Sequence, residues 1–143
     1  MATICQIGCG MIGKVMALDI SKRHVLHLSD LDSSALKEVK TLDPTIKTKC
    51  FNVNDYEMLK SFLKPADIVL LAVPGYMGYK LLEKIIEFKK NIVDISFSPE
   101  NILSLDKKAK ANNVTVIFDA GLAPGIPNFL LGKIDAKENV KSF

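Results

Sequence analysis

The chain has 143 residues, is 48% apolar and carries a formal net charge of +3, enough for one domain with a buried core and too little for a second. Its lysines are interspersed with acids and not gathered into a stripe with aromatics, so they read as solvated helix faces and no nucleic-acid partner is expected. The N-terminus lacks a basic segment followed by an apolar one, and the longest apolar run, Ile68 to Val73, is too short to span a bilayer; with three unpaired cysteines (Cys5, Cys9, Cys50) and no C-x-x-C pair, a reducing, cytoplasmic setting without membrane contact is expected.

In chain order, a short apolar strand from Ala2 to Ile7 runs into Gly8-Cys9-Gly10-Met11-Ile12-Gly13, a G-x-G-x-x-G sequence, and helical spacing follows from Met11 to about Lys22. Gly8 suits the tight turn, Gly10 lets backbone N–H groups approach a pyrophosphate, and Gly13 lets the helix pack close to the strand. The pyrophosphate would lie at the positive end of that helix. Cys5 reads as a small core residue and Cys9 as a small side chain beside the cofactor. His24-Val25-Leu26-His27-Leu28 reads as a second buried strand. Asp30 at its edge follows Gly10 by 20 residues, the spacing of a carboxylate that accepts hydrogen bonds from an adenosine ribose. A carboxylate there repels a 2′-phosphate, which favours NAD over NADP. Asp32 competes for that role, its alternative being the N-cap of a helix through Ala35, Leu36 and Val39. His24 and His27 point to opposite faces of a strand, so no metal site is expected.

Ile46 to Val53 reads as a third strand near the sheet edge, and Asn54 or Asp55 as the cap of a helix that ends at Pro65. Asp67 to Val73 is almost uniformly apolar, as a central parallel strand covered on both faces is. Pro74 to Gly78 reads as a loop at the same edge as the glycine turn, followed by a helix whose packing face is Leu81, Leu82, Ile85, Ile86 and Phe88. Asn91 to Ile95 is a fifth strand. Ser98 as cap and Pro99 as first helical residue place a helix at Glu100 to Asn112, before a sixth strand at Val114 to Phe118. Six strands alternating with helices predict a doubly wound α/β parallel sheet of the Rossmann type in the order 3-2-1-4-5-6, a dinucleotide-binding domain over 1–123.

The sixth strand leaves through Asp119-Ala120-Gly121-Leu122-Ala123-Pro124-Gly125-Ile126-Pro127-Asn128-Phe129-Leu130-Leu131-Gly132 into an apolar helix. This stretch, with GCGMIG, SDLD after the second strand and AVP after the fourth, resembles the saccharopine dehydrogenase and lysine 6-dehydrogenase family over essentially the whole chain. The resemblance implies an NAD(P)-dependent oxidoreductase acting on a carbon–nitrogen bond of an amino acid, with a hydride moving between nicotinamide C4 and the amine-bearing carbon. It implies that Asp119, Gly121, Pro124, Gly125 and Asn128 border the reactive end, that Val73, Pro74 and Gly75 line the ribose and nicotinamide side, and that Asn52 and Val53 line the adenine side. Asp119 is the best candidate for a polar group near the chemistry, or else it shapes the loop. Lysine, saccharopine and carboxylated polyamines all remain open as substrates.

Members of that family look like two-domain proteins of about 350 residues or more, so 124–143 is expected to be a connecting helix and the start of a substrate and dimerisation domain. Val140 to Phe143 would open a strand there. The chain alone is expected to bind dinucleotide weakly and to turn nothing over, with Ile126, Phe129, Leu130, Leu131 and Ile134 available for pairing and a homodimer in full length. The alternative is a free-standing NAD-sensing module of the potassium-channel and transporter type, which has no need of the D-x-G-x-A-P-G-x-x-N loop.

Overall fold

The computed structural model describes residues 1–138. Six short strands, β1 (Thr3–Ile7), β2 (Val25–Asp30), β3 (Lys47–Cys50), β4 (Ile68–Leu71), β5 (Asn91–Asp94) and β6 (Val116–Ile117), form one parallel sheet in the order β3-β2-β1-β4-β5-β6. Helices α1 (Met11–Ile20), α2 (Ser33–Leu42), α3 (Tyr56–Leu63), α4 (Gly75–Glu87), α5 (Asp106–Ala111) and α6 (Ile126–Glu138) connect or follow them. This is the doubly wound arrangement that the alternation of apolar strands and helical stretches predicts. The final Val140 to Phe143 segment lies outside the described residues.

Both faces of the sheet are covered because its central strands are apolar in register. Ile4, Leu26, Leu28 and Leu70 turn to one side and pack with Ala17, Leu36, Val39 and Ile46; Cys5, Ile7, Val69 and Leu71 turn to the other and pack with Leu59, Phe62, Leu82, Ile85 and Ile86. The period of two along β1 and β4 thus divides one sheet between two cores. The chain runs from β1 outward through β2 to β3, then returns to β4 beside β1 and continues outward to β6. The crevice where ligands bind in such sheets therefore opens between the loops that leave β1 and β4.

Two expectations are corrected. Pro74 to Gly78 is not a loop: Pro74, with φ −57° and ψ 142°, caps α4, which begins at Gly75. Those glycines serve packing, since a Cβ on Gly75 would fall on the carbonyl oxygen of Phe97 and one on Gly78 would fall on the Ser96 hydroxyl. The Ser98 and Pro99 start signal is also misplaced. The Ser98 hydroxyl instead donates to the Glu100 carboxylate at 2.6 Å, Asn101 caps a 3-10 turn at Ile102–Leu105 by accepting from Leu103 N–H at 3.1 Å, and α5 follows only at Asp106. Several strand ends are also shorter than their apolar runs suggest, β6 being only Val116–Ile117.

Candidate functional site: the glycine turn and the crevice beside it

The turn after β1 is built by close backbone approach. Gly8 has φ +105°, its N–H donates to Ser29 O at 2.9 Å, and a Cβ there would overlap the Ala72 carbonyl at the end of β4. Ala72 N–H in turn donates to Ile7 O at 2.8 Å, so the loops leaving β1 and β4 are joined at the floor of the crevice. A Cβ on Gly13 would strike the Gly8 carbonyl, which seats α1 on the strand. Around Gly10 there is nothing: an added Cβ would meet no atom within 4 Å, and its φ of −67° is open to any residue. Gly8 and Gly13 are thus explained by the fold, whereas the absence of a side chain at Gly10 leaves open space facing the crevice.

That space lies at the start of α1. α2 and α3 have side-chain caps, Asp32 accepting from Ser34 N–H at 2.8 Å and Asp55 from Met58 N–H at 3.1 Å; α1 has none, and no acid in its first turn. Its leading amides and the positive end of its dipole are left for an anion. Met11 is 90% exposed and Ile12 65%, two large apolar side chains standing in solvent at the same turn. The uncapped helix start and the open glycine together fit a dinucleotide diphosphate. Cys9 departs from its expected place beside the cofactor: it is buried against Leu36 and Ala35, with its Sγ directed at Ala35 O. Burial, then the Asp30 charge, push its thiol up from the ordinary range.

Asp30 closes β2 and sits against the turn. Its Oδ2 accepts from Cys9 N–H at 2.6 Å and its Oδ1 from Asp32 N–H at 2.8 Å, leaving further lone pairs on each oxygen. Asp32 is the helix cap, its Oδ1 also accepting from the Ser34 hydroxyl at 2.6 Å. These hydrogen bonds hold the Asp32 carboxyl below the usual range.

Beyond Asp30 lies a cavity of about 400 Å³ lined by residues that include Leu31, Asn52, Val53, Tyr76 and Lys80. Asn52 is exposed there and its Oδ1 accepts from Asn54 N–H at 2.9 Å, while Val53 is 9% exposed and packs mainly into the core. Larger cavities, such as the one of about 630 Å³ between α3 and the end of α4, lie away from the glycine turn.

At the other side of the crevice, Val73 packs against the core and Pro74 and Gly75 open α4. Asp119 has φ +51°, Ala120 N–H donates to Asp94 O at 2.9 Å, and the loop closes through Gly121: Ile126 N–H donates to Gly121 O at 3.1 Å. Gly125 has φ +138° and its N–H donates to Asn128 Oδ1 at 3.1 Å, so Asn128 shapes the loop. Beneath these residues lies a further acid that the sequence motifs do not mark. Asp94 is fully buried, its Oδ1 accepting from Ser96 N–H at 2.8 Å and its Oδ2 from the Ser96 hydroxyl at 2.9 Å. Burial pushes the Asp94 carboxyl up, against the Ser96 hydrogen bonds, and the Asp119 charge adds to the rise. The signal was present in the sequence as an acid inside the apolar run Asn91 to Ile95.

A parallel sheet with its switch point at a glycine turn, an open helix start and a carboxylate at the end of β2 define a dinucleotide-binding α/β domain. The family model described as "Saccharopine dehydrogenase NADP binding domain" matches residues 4–117, and the chain belongs to that family. It is a pyridine-nucleotide-binding domain of that family. Among curated relatives it is 33% identical over 97 residues to alpha-aminoadipic semialdehyde synthase of Arabidopsis thaliana, covering 64% of this chain and 9% of that protein. It is 31% identical over 75 residues to an NADP(+), L-glutamate-forming saccharopine dehydrogenase of Pyricularia oryzae, covering 52% and 17%. In structure it is similar to the L-Glu-forming saccharopine dehydrogenase of Saccharomyces cerevisiae, with a TM-score of 0.82 at 18% identity over 95% of this chain and 31% of that one. It is also similar to scyllo-inositol dehydrogenase of Lactobacillus casei with bound NAD(H) and scyllo-inositol, with a TM-score of 0.68 at 14% identity over 96% and 41%. The chain thus spans less than a third of the length of the saccharopine enzymes it resembles. No helix among the described residues is long and apolar enough to cross a membrane.

Proposed function

We propose that this chain is the cofactor domain of a saccharopine dehydrogenase-like oxidoreductase that acts on a carbon–nitrogen bond of an amino acid and prefers NAD to NADP. The observation that carries the cofactor preference is Asp30, whose carboxylate stands at the end of β2 against the glycine turn. Its remaining lone pairs suit the two hydroxyls of an adenosine ribose and oppose a 2′-phosphate. The name of the matched family and that of one curated relative carry NADP, which makes the point testable. Family membership also favours the dehydrogenase reading over a free-standing NAD sensor.

In this reading, the diphosphate takes the open side of Gly10 and the unsatisfied amides of Met11, Ile12 and Gly13. Asn52 and the backbone at Val53 border the adenine, and Val73, Pro74 and Gly75 border the second ribose. Asp119 and Gly121 border the nicotinamide. When bound, the nicotinamide supplies or accepts the hydride; this chain's residues hold it and set its orientation. Asp119 remains the candidate polar group near the reaction. Substrate contacts come from the parts of the longer relatives that this chain does not cover, with a domain boundary near residue 123. The exposed Ile126, Phe129, Leu130 and Ile134, with partly exposed Leu131, are the proposed face for that part or for homodimer formation.

Titration with NADH and NADPH followed by fluorescence tests the preference. NADH is expected to bind more tightly; a clear preference for NADPH would overturn the role of Asp30, and failure to bind either would overturn the cofactor-domain reading.

A further inference from the structure

We propose that Gln6 is a positioning residue that aims the Asp30 carboxylate through a single peptide unit of the glycine turn; the inference rests on the dinucleotide-binding reading above. Gln6 lies in the middle of β1, paired with Leu28 on one side and Leu70 on the other, on the sheet face that carries α1, and is fully buried. An apolar residue would fill that place without polar cost. Instead the side-chain Nε2 donates one hydrogen bond to Gly8 O at 2.8 Å and the other to Gly13 O at 2.7 Å, tying the entrance of the turn to its exit. The Oε1 of the same amide is buried with no hydrogen-bond partner among the described residues. A buried acceptor without a partner disfavours the folded state, so its presence calls for a compensating use of the rest of the group.

That use is visible one bond further along. The Gly8 carbonyl that accepts from Gln6 belongs to the peptide unit whose N–H is that of Cys9, and Cys9 N–H donates to Asp30 Oδ2 at 2.6 Å. Gln6, the Gly8–Cys9 peptide and Asp30 thus form a chain of donors and acceptors aligned in one sense. Each hydrogen bond in such a chain polarises the next, and more strongly in a buried setting. The peptide cannot rotate without breaking both bonds, and the preceding Ile7–Gly8 peptide is held by Gly8 N–H donating to Ser29 O at 2.9 Å. The orientation of Asp30 is therefore set from within the core, by a side chain that does not reach the crevice. Gln6 touches no ligand; it acts through Asp30.

A double-mutant cycle on this chain tests the coupling. Gln6→Met keeps length and removes the donors, and is expected to weaken NADH binding by about tenfold, the order of one charge-assisted hydrogen bond. In an Asp30→Ala background the same change should weaken it by less than about threefold, because its route is gone. Equal losses in both backgrounds would reduce Gln6 to a structural role and overturn the proposal. A second readout needs no nucleotide: in the unmodified chain the Cys9 amide proton should resonate downfield and both Gln6 side-chain amide protons should exchange slowly. Rapid exchange of the Gln6 protons, or a Cys9 shift that Gln6→Met leaves unmoved, would overturn it too. If the unmodified chain bound no dinucleotide, the cofactor reading would fail while these spectra still decided the relay.

Discussion

The α-carbon of Gly8 lies so close to the carbonyl oxygen of Ala72 that no side chain can stand between them. This contact joins the loops leaving β1 and β4 and makes Gly8 a residue of the fold, whereas Gly10, two positions on, touches nothing on its open side. Gly8→Ala meets both the overlap and the left-handed φ, and should cost about 2 kcal/mol or more of stability. Gly10→Ala should leave the unfolding midpoint within a degree or so of the parent and weaken NADH binding by about tenfold or more by filling the diphosphate space. Thermal melts with nucleotide titrations check both, and a Gly10→Ala chain that binds NADH normally would place the diphosphate elsewhere.

Asp30 and Asp32 should separate in the same way. Asp30→Ala is expected to weaken NADH binding by about 1–3 kcal/mol, the loss of a hydrogen bond to a charged group, and to narrow the gap between NADH and NADPH. Asp32→Ala removes the cap of α2 and should lower stability by about 0.5–2 kcal/mol with little change in nucleotide affinity. If nucleotide affinity followed Asp32 instead, the two roles would have to be exchanged.

Asp94 gives the stability a pH dependence of defined sign. Its carboxyl is pushed above its ordinary 3.8 by burial in the folded chain, so the fold binds that proton more tightly than the unfolded chain does. Its contribution is therefore full at acidic pH and declines as pH rises through 3.8 and on through the raised folded value. Asp94→Asn retains an acceptor for Ser96 N–H and carries no charge. The unfolding midpoint of the variant should fall less than the parent's between about pH 4 and pH 7, and an identical decline in both would show that Asp94 is not the group responsible.

Thiol chemistry should distinguish the three cysteines. Burial raises Cys5 to about 11, and it also raises Cys9, while Cys50 is exposed. A thiolate-selective reagent at about pH 8 should modify Cys50 alone in the folded chain and all three after denaturation. Peptide mapping that found Cys9 modified in the native state would contradict its inward orientation.

The sheet order and the positions of Gly8, Gly10, Gly13 and Asp30 were legible because they rest on local pattern: apolar strands, turn glycines and the spacing from one strand to the next. The start of α4 is hidden in the sequence because Gly75 and Gly78 look like loop residues in isolation. Only the packing against Phe97 and Ser96 shows that they are small to let a helix approach. The helix before β6 starts later than Ser98 and Pro99 suggest, because Ser98 pairs with Glu100 and does not cap. The roles of Gln6 and Asp94 are silent in the sequence, since a polar residue inside a short strand gives no sign of its partners, which come from the following turn and helix start in one case and from Ser96 in the other.

The lack of a side chain at Gly75 and Gly78, where α4 faces the segment after β5, has a mechanical consequence. With the backbone of Gly75 against the Phe97 carbonyl and that of Gly78 against the Ser96 side chain, the front of α4 is closely packed. α6, by contrast, contributes no buried residue. The stretch from Gly121 to Glu138 should therefore open more readily than α4, and amide exchange across 129–138 should outpace that across 79–87 by orders of magnitude.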